Sequence, residues 1–588
     1  MRRKACKIAA ALLCALLLAG CVSPRTPPLR CTVLLEDNET LSFPRQSFEV
    51  TQHDNLCVTV GVPKGQRISS VSYDNCSISP KQSQSEHFDY YTVTLHQIRY
   101  STLVRFTTAP AYTTDYHTGT GEAISVWEES PHLYFNTLPY EDQFQKEGFA
   151  AIGWNTRPDG SGTSVSFGSR IDHRDRSHLD LYVQYLPESP AGDFTWRREG
   201  GEAVITGYHG TGDVIIPSQL GGLEVTGIDT GAFGDLQTGL LVLPPTMKEV
   251  AQGAFGNAEI GAFYFYDSIE RLREDCFHSY SVGSLHIQAA TAPVYSGSYF
   301  DTFADKMDYL DSLRDQAKIV LFCGSSARFG YDSEKIEQAL PDFRVVNMGV
   351  FAYTNMLPLA ELVLPLTGEG DILLSSPELD AIGYQFCGSS ALDKETFCMM
   401  ESNYDLFSRL DCRKYTNLFG AFSEYNESRI GMTPRSYLES PADYDEDGLP
   451  QLTETYNRQG DYILYRPNNT DRRVFGIKRA YYNPNYISDA DIQGLNGVFD
   501  RFAERGVQVL LTYSPRSSIS ISGDSTVETA RALDTLLRES LHATVISPIE
   551  DSLMNPYYFY GTDNHLSTEG AAIHTAQVIG YLKKVLID

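Results

Sequence analysis

Phe233, Phe255 and Phe277 stand 22 residues apart, each closing a short motif: Gly231-Ala232-Phe233, Gly253-Ala254-Phe255 and Asp275-Cys276-Phe277. Ile228, Val250 and Leu272 keep the same period, five residues ahead of each phenylalanine. Between them run the apolar stretches Val214-Ile215-Ile216-Pro217 and Leu241-Val242-Leu243-Pro244. A unit this short, with one strand, cannot bury its apolar face alone, so consecutive units must stack into a solenoid. Residues 195–298 are therefore expected to form a coil of about four turns. Its concave side would bind a protein or glycan, or the coil would act as a rigid spacer.

From about residue 300 the pattern changes to alternating strands and helices. Strands are predicted at 317–323, 343–347, 371–375, 507–513 and 543–547, and helices at 333–340, 355–364, 487–505, 526–541 and 567–586. Five buried strands joined by helices predict a parallel, three-layer, flavodoxin-like α/β sheet over 300–588. Residues 379–486 are too long for a connection and are expected to form a lid or substrate-shaping insertion. Ligands of such sheets collect at the carboxyl ends of the strands. Those ends read Gly324-Ser325-Ser326, Asn347-Met348-Gly349, Pro377-Glu378 and Ser514-Pro515, with Asp563-Asn564-His565 ahead of the last helix. A serine hydroxyl becomes a nucleophile when an imidazole takes its proton and a third group holds that imidazole. His565 stands best for this among 13 histidines, between the last strand and the last helix. The backbone N–H groups of Ser326 and Gly349 are the natural donors to an oxyanion.

These strand ends resemble those of the SGNH (GDSL-like) hydrolases, especially the branch near the D-alanyl-lipoteichoic-acid transfer protein, over 300–380 and 485–588. The resemblance implies Ser326 as nucleophile, the third residue of the family's Gly-Asp-Ser, with Ser325 in the Asp position and the alternative nucleophile. It implies Gly349 as the oxyanion glycine. The family's Asp three residues before the histidine is here Thr562, and its third-strand Asn is absent beside Pro377-Glu378. Asp563, two residues before His565, is then the candidate to orient the ring; a Ser–His dyad and a decayed site are the alternatives.

Arg2, Arg3, Lys4 and Lys7 precede an apolar stretch over 8–19 that is too short to span a bilayer and ends in Leu18-Ala19-Gly20-Cys21. This resembles a bacterial lipobox, which implies cleavage before Cys21, its diacylation, and a lipid anchor on the extracytoplasmic face of the cell membrane. Loss of the four basic residues takes the net charge from −28 to −32. So acidic a chain argues against nucleic acid as a partner.

Residues 22–30 read as a Pro-rich tether, and 31–125 as a β-rich, sandwich-like domain from alternation such as Tyr91-Thr92-Val93-Thr94-Leu95. Gly153-Trp154-Asn155-Thr156 and Asp159-Gly160-Ser161-Gly162 within 130–187 resemble the β-grasp repeat of internalin-like surface proteins, with Trp154 and Phe149 as core. The 22-residue units resemble BspA-type leucine-rich repeats. Candidate disulfides are one among Cys31, Cys57 and Cys76, and Cys387–Cys398. Asp443, Asp445, Asp447 and Glu454, around Gly448, fit the spacing of a calcium loop, a structural ion rather than a catalytic one. Catalysis requires no cofactor. The expected function is a lipid-anchored serine esterase or acyltransferase acting on O-acylated envelope polymers or glycans. The other reading is a non-catalytic adhesin or scaffold.

Overall fold

The computed structural model describes residues 29–36, 40–73, 76–78, 81–119, 121–128, 134–173, 176–350, 355–379, 390–432, 455–470 and 480–586. Cys21, Cys387 and the acidic loop with Asp443, Asp445, Asp447 and Glu454 lie outside the described residues. The chain divides into two compact units. One comprises the described residues up to Lys64 with Ser70–Thr107, the other Gly65–Ser69 with everything from Thr108.

The described residues of the first unit include two small sheets. One has the order Ser47–Thr51, Arg30–Leu35, Thr102–Val104. The other pairs Leu56–Pro63 with Phe88–Leu95, which also pairs Cys76–Ile78. Phe88–Leu95 alternates strictly, turning Tyr91, Val93 and Leu95 inward, as period-two patterning requires. Cys31, Cys57 and Cys76 are free thiols, contrary to the expected disulfide. Cys57 and Cys76 flank the Phe88–Leu95 strand from opposite sides. Two strand spacings, about 9.6 Å, exceed the reach of a disulfide.

In the second unit, a mixed five-stranded sheet has the order Ile124–Glu128, Tyr112–His117, His178–Pro187, Phe149–Asn155, Ser164–Val165. It begins near residue 112, so it takes Tyr112–His117 and the start of Ile124–Glu128 from the segment assigned by sequence to the preceding domain. Trp154 is buried beneath it and donates to the Leu138 carbonyl at 2.9 Å; Phe149 is only half-buried. Gly160 adopts φ 76°, the left-handed turn that the Asp-Gly pair anticipates.

The strands Gln237–Val242, Asn257–Tyr266 and Ser279–Gln288 then stack in parallel at a constant 22-residue offset, as in Leu241↔Phe263 and Phe263↔Leu285. A second column keeps the same step through Ile228↔Val250 and Glu249↔Arg271. Phe233, Phe255 and Phe277 form a ladder with centroid separations of 5.4 and 5.3 Å. Gly239, Gly261 and Gly283 repeat the step as well. A Cβ on Gly261 would lie 2.5 Å from the Gly239 carbonyl oxygen, so close stacking there requires glycine.

The C-terminal sheet is fully parallel: Arg344–Asn347, Lys318–Phe322, Ile372–Ser375, Gln508–Leu511, Thr544–Val545. In chain order this is 2-1-3-4-5, a doubly wound arrangement. Ile319, Leu321 and Leu374 face the helices Ser333–Ala339 and Thr568–Leu586, whereas Val320, Phe322 and Leu373 face the opposite layer. The expected lid is not what residues 390–432 form. Their helices Asp405–Ser408 and Leu418–Arg429 pack on the solenoid, with Phe419 4.6 Å from Phe277 and Phe422 4.9 Å from Phe265. One apolar core consequently runs from Phe194 through the solenoid to Ile549. The two-stranded ribbon of Tyr134–Asn136 and Arg170–Asp172 is tied in by Arg170, whose buried guanidinium contacts Asp305 and Asp308 at 2.6 Å and Asp301 at 2.9 Å. Among the described residues no helix is long and apolar enough to cross a membrane.

Candidate active site

The strand Lys318–Phe322 delivers Gly324 to the carboxyl edge of the sheet, where the helix Ser325–Gly330 starts. Consecutive helical side chains point about 100° apart, so Ser325 and Ser326 face different surroundings. His565 Nε2 lies 2.9 Å from Ser325 Oγ. Ser326 Oγ points to Ser514 Oγ and Cys323 Sγ, each at 3.2 Å, in a buried cluster at the strand ends. The hydroxyl within reach of the imidazole is therefore Ser325, the alternative by sequence, not Ser326. Burial pushes the Cys323 thiol up to about 12, so it stays protonated.

His565 is fixed by its backbone. Its N–H donates to Thr562 Oγ1 at 3.0 Å, and its carbonyl accepts from the Tyr560 N–H at 2.9 Å. Its ring packs on Phe329, centroid to centroid 4.2 Å. Asp563 does not orient it: that carboxylate accepts from Arg516 Nη1 at 3.3 Å, and Nδ1 of His565 has no hydrogen-bond partner among the described residues. Ser325 and His565 thus pair without a carboxylate, and Thr562, where the resemblance implies an Asp, holds the backbone rather than the ring.

Burial, and after it the charges of Arg328, Arg466 and Arg516, hold the imidazole pKa well below its usual value. Arg466, from the second half of the insertion, bonds the carbonyls of Phe329, Tyr462 and Leu566, clamping the histidine loop to the serine helix. Arg328 donates to the Tyr456 hydroxyl at 3.1 Å. Nearby Asp461 accepts from Ser333 and Asn347, and burial raises it to about 6.

Both expected oxyanion donors are engaged. The Gly349 N–H donates to Asn347 Oδ1, and the Ser326 N–H to Glu378 Oε1, each at 3.0 Å. Glu378 thus stands where the resemblance implies an asparagine, and it accepts where an oxyanion would. Sequence reasoning missed the three arginines. Arg328 had a signal, since it follows Ser325 by three residues on a helix and shares its face; Arg466 and Arg516 had none. No protein-family model and no curated protein sequence matches the chain, so the geometry of this site carries the functional reading.

Proposed function

We propose that the protein is a serine esterase or acyltransferase of SGNH type, lipid-anchored through Cys21 and acting on O-acylated envelope polymers or glycans. The observation that carries this reading is the 2.9 Å contact between Ser325 Oγ and His565 Nε2 at the carboxyl ends of a doubly wound sheet. Ser325 Oγ attacks the acyl carbonyl while its proton passes to His565 Nε2. The tetrahedral intermediate collapses, the alkoxide leaving group takes that proton, and the acyl group stays on Ser325. Water or an acceptor hydroxyl then gives its proton to His565, attacks the ester and frees Ser325. A neutral imidazole suits a general base. The field of the three arginines supports the oxyanion in place of the two engaged N–H groups and favours a substrate with negative charge nearby.

Turnover of p-nitrophenyl acetate tests the assignment. Ser325→Ala should lower kcat by at least about a thousandfold, while Ser326→Ala keeps most of the activity. Unchanged turnover in Ser325→Ala would sink the proposal.

Ligand capture by the solenoid of 22-residue repeats, of leucine-rich type, has an observation of its own. A cleft of about 890 Å³ opens between its glycine column and the following helices, lined by Thr238, Glu259, Gly261, Arg409 and Arg413. Its size is that of a ligand pocket, and it would serve the adhesin reading with or without catalysis.

A further inference from the structure

The outer face of the mixed five-stranded sheet gathers two aspartates and two histidines far in sequence from the serine site. Tyr112–His117 and His178–Pro187 run parallel, with the register Thr113↔His178 and Asp115↔Asp180; Asp115 also faces Ser125 on the antiparallel neighbour. Strand alternation puts these residues on one face, while Thr114, Tyr116, Leu179 and Leu181 turn into the core. Two carboxylates directly opposite on paired strands repel each other, and the arrangement needs a positive charge between them.

We propose that Asp115, His178 and Asp180 bind one divalent transition-metal ion of the zinc class. Nε2 of His178 lies 3.5 Å from Asp180 Oδ2 and 3.8 Å from Asp115 Oδ2. All three ligand atoms fall within 4.8 Å of one another. These separations are too long for hydrogen bonds. They are close to the edge of a coordination tetrahedron, about 3.4 Å for bonds of about 2.0–2.1 Å.

The other atom of each ligand is already held. His178 Nδ1 meets Thr113 Oγ1 at 2.8 Å, Asp115 Oδ1 accepts from Ser125 Oγ at 2.6 Å, and Asp180 Oδ1 accepts from His117 Nε2 at 2.7 Å. Metal binding requires Thr113 Oγ1 to accept from Nδ1–H, which leaves the Nε2 lone pair facing the carboxylates. His117 is in turn steadied by stacking on Tyr182, with 4.4 Å between centroids and 10° between planes. Outer contacts of this kind orient metal ligands and set their tautomers. One imidazole and two carboxylates with a fourth position open to water suit zinc, not calcium, which gathers six to eight oxygens.

Isothermal titration of the chelator-stripped full chain with zinc chloride tests this. One ion per chain is expected, and cobalt(II) should give the visible absorption of four-coordinate cobalt. His178→Ala and Asp180→Asn should abolish binding, and Ser125→Ala should weaken it about tenfold. Ser325→Ala should leave it intact, which separates this site from the acyl chemistry. Because these side chains lie on the outer face, the variants should melt like the wild type in EDTA. A measurement free of variants is diethylpyrocarbonate modification of His178, read by mass spectrometry, which zinc should block. The proposal is overturned by the absence of saturable binding, by binding that survives both ligand substitutions, or by modification that zinc does not slow.

Discussion

Ser325 and Ser326 differ in what their side chains can reach, and that difference follows from the start of a helix at the strand end. The Gly-Ser-Ser motif and His565 were legible because buried strands announce where their carboxyl ends lie. Which serine meets the imidazole was not, since a one-residue change of register turns the side chain by about 100°. The role of Asp563 was misread because Arg516, 47 residues earlier, draws its carboxylate away.

The depressed pKa of His565 has a consequence with a definite sign. Burial and three guanidiniums disfavour the imidazolium, so the base stays neutral as pH falls, and the acid limb of kcat/KM should lie well below 6.5. Arg328→Met removes one positive neighbour and should move that limb up by about one unit. A pH–rate profile alongside NMR titration of the His565 ring checks both; an unmoved limb would place Arg328 outside the field of the base. The same shift works against the fold in acid. Below about 6.5 the unfolded chain takes a proton that the native histidine refuses, so this group's contribution falls as pH drops.

At the scale of elements, sequence and structure agree closely in the α/β region. Strands expected at 343–347 and 371–375 form at Arg344–Asn347 and Ile372–Ser375, and the last helix spans Thr568–Leu586. Short runs that are apolar throughout, each bounded by turns, leave little ambiguity. The 22-residue step was equally plain, down to the paired registers. The insertion was not. Its length suggested a lid, but only tertiary packing decides what aromatic residues such as Phe397, Phe419 and Phe422 cover. Phe419 is fully buried between Phe263, Phe277 and Tyr280. Phe419→Ala should cost about 3–5 kcal/mol, read as a lower denaturant midpoint, with the Ser325–His565 geometry untouched. A loss below about 1 kcal/mol would mean that the helix does not hold the solenoid.

For the molecule as a whole, the expected chain of separable modules gives way to a larger body in which solenoid and α/β sheet share one core. A fragment of residues 300–588 should therefore expose Phe419 and Phe422 and aggregate, whereas 108–588 should behave as a soluble folded species. Size-exclusion chromatography and limited proteolysis of the two fragments distinguish these outcomes; a monomeric, protease-resistant 300–588 would contradict the shared core.

The seating of Phe419 and Phe422 on the solenoid also bears on how such a chain can be inherited. A recombination break near residue 300 leaves a bare aromatic face on both products, one lacking its helices and the other its strands. The repeats and the α/β domain must then travel together through genetic exchange, each serving as the other's missing wall.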